Sequence, residues 1–61
     1  MSQERMRARE AAQRALFCHQ MMRYWTEAGC PRAAADCNRD RGEWANIARY
    51  WAKRAARVEA K

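Results

Sequence analysis

Near the middle of a 61-residue chain stand Ala28-Gly29-Cys30-Pro31, and no other four residues restrict its fold as tightly. Glycine reaches the left-handed conformation that ends a helix, and proline is pre-set for the first position of a new one. The residue before a proline avoids the α region. One helix is therefore expected to stop here and another to start, with the chain doubling back between them.

The sequence on either side supports this. From Glu4 to Ala28 there is no Gly or Pro, and Ala, Arg, Met, Gln and Glu, all good helix formers, predominate. Ser2 is placed to cap the start. Small or apolar residues recur at Ala8, Ala11, Ala15, Cys18, Met22 and Trp25, in the alternating steps of three and four that mark one helix face. The alternation restarts at Cys30 and runs through Ala34, Cys37, Arg41, Trp44, Ala48, Trp51, Ala55 and Val58. Its phase survives Gly42, which a linker would have no reason to preserve, so one long helix is favoured over a break at Arg41-Gly42 and a third helix. The expected layout is a single domain over 1–61: a helix over 3–28, a turn over 29–31 and a helix over 31–60.

An antiparallel hairpin folded at Gly29-Cys30 pairs positions whose numbers add to about 59. Trp25 then faces Ala34, Trp44 faces Ala15, Trp51 faces Ala8, and Ala11 faces Ala48. Each bulky ring meets a small partner, as dense packing requires. The expected fold class is all-α, an antiparallel helical hairpin.

A chain this short rarely buries enough apolar surface to offset the conformational entropy of folding. Disulfides offer little help, because Cys18, Cys30 and Cys37 cannot all pair within one chain. A second apolar row on the first helix, Phe17, Met21, Tyr24 and Ala28, lies beside the first, and one facing helix cannot cover both. Association is the expected remedy: a homodimer completing a four-helix bundle, or another protein docked on that row.

Catalysis and metal binding find little support. There is one histidine and one serine, and Cys18 and His19, being sequence neighbours, project about 100° apart on a helix. Cys18, His19, Cys30 and Cys37 are ligand types for zinc but lack the closely spaced pairs of structural sites. No metal or cofactor is expected. Residues 1–10 are charged rather than apolar, and no run of eighteen apolar residues occurs, so neither a secretory leader nor a membrane span is expected and the cytoplasm is the default compartment.

Charge is more informative. Thirteen Lys and Arg oppose seven Asp and Glu, a formal net charge of +6, which suits an acidic partner. Arg49, Lys53, Arg57 and Lys61 recur every four residues with Arg54 alongside, and a hairpin brings them to the same end as Arg5, Arg7, Arg9 and Arg14. The function expected from these features is that of a small non-enzymatic binding protein, one that regulates or inhibits a larger protein by docking on it. Phe17, Met21 and Tyr24 would be the apolar anchors where dimerisation leaves them free, and Arg49, Lys53, Arg54 and Arg57 would supply charge complementarity. The alternative is a regulator that grips RNA or DNA backbone with its basic pole, with Tyr50 available for stacking.

Overall fold

A computed structural model describes residues 2–60 and shows two helices packed against each other as a hairpin, α1 (Gln3–Glu27) and α2 (Pro31–Glu59). The Ser2 side chain accepts a hydrogen bond from the Arg5 amide at 3.1 Å, satisfying one of the free donors of the first turn, and Glu4 adds a favourable charge there. Each helix ends one residue short of the sequence expectation, because Ala28 and Ala60 serve as C-caps.

The turn closes by the mechanism its residues imply. Gly29 takes φ +79°; its amide bonds to the Thr26 carbonyl, and the Cys30 amide to the Trp25 carbonyl at 2.9 Å. These two bonds form a Schellman motif. Cys30 is out of the helical region ahead of Pro31, and α2 begins without a side-chain cap. Gly42 does not break α2, which runs through it unbent by any Pro or bulge, and no atom lies within 4 Å of where a Cβ would stand.

The two strings of residues meet near the expected register. Arg7 lies over Trp51, Arg14 over Trp44, and Arg41 donates to His19, pairs whose numbers add to 58, 58 and 60. At the open end Arg5 donates from Nε and Nη2, one edge of its guanidinium, to the two carboxylate oxygens of Glu59, which ties the start of α1 to the end of α2.

The packing is thinner than the expected nesting of tryptophans in a core. Only Ala11, Ala34 and Ala55 are buried among the described residues, and Trp25, Trp44 and Trp51 are half-buried. Two helices make a single layer, here 49 × 16 × 11 Å, and a single layer cannot enclose an indole. The alanines let the backbones approach, and the rings spread across the edges of the seam.

Candidate interaction surface

A two-helix layer has two broad sides, and the sequence makes them different. On one side α1 and α2 flank an open groove of about 560 Å³ near the turn, lined by Met22, Thr26, Gly29, Pro31, Ala34, Ala35 and Asn38. It is continued toward the open end by a second of about 490 Å³ between Ala15, Leu16, His19 and Arg41, Gly42, Ala45, Asn46, Arg49. Small residues and side-chain amides dominate this side.

The other side is aromatic. Arg7, Glu10, Ala11 and Arg14 of α1 meet Trp44, Ile47 and Trp51 of α2 around a shallow recess of about 240 Å³. Phe17 adjoins it, bordering a recess with Glu10, Gln13 and Arg14. Met21 and Tyr24 continue the Phe17 row by their spacing, and Ile47, Arg54 and Val58 share the matching stripe of α2. Phe17 is 61% exposed, Tyr24 58% and Tyr50 52%, so these residues keep more than half of their surface open to solvent.

The tryptophans on this side are roofed by cations. The Arg14 guanidinium stands 4.9 Å from the Trp44 ring centre, Arg7 5.2 Å from that of Trp51, and Arg54 5.8 Å from Trp51 and 6.0 Å from Tyr50. Each such contact stabilises by about 0.5–1 kcal/mol at an exposed site. Arg54 also donates to the Tyr50 hydroxyl at 3.1 Å, and Tyr50 and Trp51 meet edge to face with centres 5.2 Å apart. A guanidinium has five N–H donors, so a contact with a ring leaves donors to offer a carboxylate or phosphate.

The seven residues expected to make contacts do not form one surface. Phe17, Met21, Tyr24 and Arg54 belong to the aromatic side. Arg49 lines the opposite groove and donates to Asn46 at 2.7 Å. Lys53 lies one turn beyond Arg49 on the same helical row, and Arg57 one turn further. Arg49 and Arg54 are neighbours in the sequence reading yet five residues apart, which on a helix is a rotation of about 140°. Lys61, the last of that row, lies outside the described residues. None of Arg49, Lys53, Arg54 and Arg57 pairs with a carboxylate among the described residues, where the ion pairs are Arg5–Glu59 and Arg39–Asp36. The roofing role of Arg7 and Arg14 was missed by the sequence reading, although their seven-residue spacing matches that of Trp44 and Trp51.

The titratable groups near the seam are held by their neighbours. Arg41 donates to His19 Nδ1 at 3.2 Å, so that nitrogen acts as the acceptor. Burial, reinforced by Asp40 and Cys37 and opposed by Arg14, pushes the Cys18 thiol above its ordinary value and disfavours the thiolate. All three cysteines are free. No group of three potential metal ligands converges among the described residues, and none of their helices is long and apolar enough to cross a membrane.

Comparison of the chain with protein-family models, with curated proteins and with solved structures finds no match.

Proposed function

We propose that this chain is a small non-enzymatic binding protein of the cytoplasm that regulates or inhibits a larger protein by docking its aromatic side on it. The observation that carries this reading is the row Phe17, Met21, Tyr24 beside Trp44, Ile47, Tyr50 and Trp51, in which Phe17, Tyr24, Ile47 and Tyr50 are exposed and the others half-buried, interleaved with Arg7, Arg14 and Arg54. Aromatic rings and arginine dominate the energetics of protein interfaces, the rings through large rigid contact area and arginine through several charge-assisted donors. Arginines held on rings lose less freedom on binding than free ones. The same side also suits self-association into a four-helix bundle.

A second reading rests on a different observation. Residues 1–15 and 45–61 contain nine Lys and Arg against three Asp and Glu, whereas residues 16–44 contain four of each. The whole formal charge of +6 thus belongs to the open end, as phosphate-backbone contact would require.

Affinity capture from extract separates the two. Docking on a protein predicts retention of one defined polypeptide that resists nuclease, is lost with Met21→Asp and is kept with Lys53→Glu/Arg57→Glu. Backbone binding predicts the reverse: nuclease-sensitive retention, lost with the double glutamate variant and falling steeply with salt. Capture indifferent to both variants would sink both readings.

A further inference from the structure

The hairpin exposes 4951 Å², whereas a folded protein of its 7.2 kDa mass exposes about 4,100 Å² by the usual size scaling. The excess of about 800 Å² equals what each partner hides in a standard protein interface. Its radius of gyration of 14.1 Å likewise exceeds the roughly 10.5 Å of a compact domain of this length. One side of the layer, about 49 Å long and 16 Å wide, is the right size to supply that area.

The charges on the aromatic side indicate what covers it. Two of its cations, Arg7 and Arg54, lie toward the open end, and Arg14 lies at mid-length over Trp44, with Glu10 between Arg7 and Arg14. On α2, Asp36, Asp40 and Glu43 share the stripe of Ile47 and Arg54 by their four-and-three spacing, and all three lie toward the turn. At its two ends, Asp36 and Arg54, such a side is complementary to itself turned end for end. Two copies laid face to face with α2 antiparallel to α2, centred on the midpoint of Pro31–Glu59, set Asp36 opposite Arg54 and Asp40 opposite Tyr50. The two-fold axis makes each pair twice. The parallel alternative would bring both basic ends together, and like charges side by side oppose it. The antiparallel arrangement puts the two +6 ends at opposite tips of a body about 49 Å long, far beyond the screening length of roughly 8 Å at physiological salt.

We propose that the free protein is an antiparallel homodimer whose two copies cover each other's aromatic side, and that a copy must leave this dimer before the side can dock elsewhere. Self-association thereby regulates the docking surface, in a proposal that rests on the reading of that surface as a protein-binding one. The larger protein competes with the second copy, and the free concentration of docking-competent monomer is set by the dimer dissociation constant.

Sedimentation equilibrium of the full chain across a dilution series tests this, with helicity followed by circular dichroism on each variant. The expected mass is twice 7.2 kDa, falling to the single-chain value on dilution. Arg54→Asp and Asp36→Arg are each expected to weaken the dimer about tenfold, since each places like charges opposite one another twice, and the double variant to restore it to within about threefold. A chain that stays monomeric while fully helical overturns the proposal, as does a dimer in which the two single variants have no effect or the double fails to rescue. The docking reading fails separately: it falls if Met21→Asp leaves capture of the partner protein unchanged, whatever the mass, and it survives a monomeric chain whose capture Met21→Asp abolishes.

Discussion

The open end and the turn end of this hairpin are built from the same two helices, yet they solve different problems. The open end holds all of the net charge, and its stabilising contacts are polar: the Arg5–Glu59 fork and the guanidinium roofs over Trp44 and Trp51. The turn end is neutral overall, closed by backbone bonds around Gly29, and leaves Phe17, Met21 and Tyr24 without a covering helix. Two open ends repel one another, whereas an open end and a turn end do not. Charge segregation along a two-helix layer thus favours a head-to-tail over a head-to-head approach of two such layers.

The sharpest way to break this contrast is to disturb the close packing of the open end. Ala55 is fully enclosed, and Ala55→Leu should force α1 and α2 apart there, costing about 1–3 kcal/mol and lowering the thermal midpoint, while amide exchange around the turn stays unchanged. If amides around the turn lost protection to the same extent, the two ends would be one cooperative unit and the contrast would lose its thermodynamic meaning.

The turn end is probed by its two glycines. Gly29→Ala should destabilise by about 1–2 kcal/mol, because a side chain at φ +79° is strained whatever the space around it. Gly42→Ala should stabilise by about 0.5–1 kcal/mol, since the site is helical and open. Denaturant midpoints for the pair check both signs, and equal effects would mean that Gly29 has no special role in the reversal.

A smaller effect sharpens the open end. Hydrogen bonding from Arg5, with its charge, holds the Glu59 carboxyl below its ordinary value against a partial desolvation that acts the other way. A group whose folded-state pKa is depressed contributes stability that is present above the unfolded pKa, about 4.3, and is lost as pH falls through the folded value. Acid titration should therefore loosen the open end below about pH 4. Glu59→Gln should flatten that part of the profile, with the size of the change kept small by exposure and salt.

Much of the fold was legible because it depends on periodicity. The four-and-three alternation on both sides of Gly29-Cys30 gave two helices, their antiparallel pairing and a register that Arg7–Trp51 and His19–Arg41 meet within one residue. Burial was less legible. Trp25, Trp44 and Trp51 recur at core positions, and only the thickness of a single layer shows that they remain at its edges. The candidate surface was legible on α1, where Phe17, Met21 and Tyr24 form a row of their own. On α2 it was not: Arg49 and Arg54 look alike in a list of basic residues, and a rotation of about 140° sends them to opposite sides.

Met21 and Met22 adjoin in the chain, but the first belongs to the row of Phe17 and Tyr24 and the second lines the groove with Thr26 and Ala34 on the other side. Methyl NMR of the two methionines across a concentration series therefore tests most directly which side associates. The Met21 methyl should shift and broaden as the chain is concentrated, while the Met22 methyl holds its position. Movement of Met22 with Met21 unchanged would place association on the groove side and contradict the account.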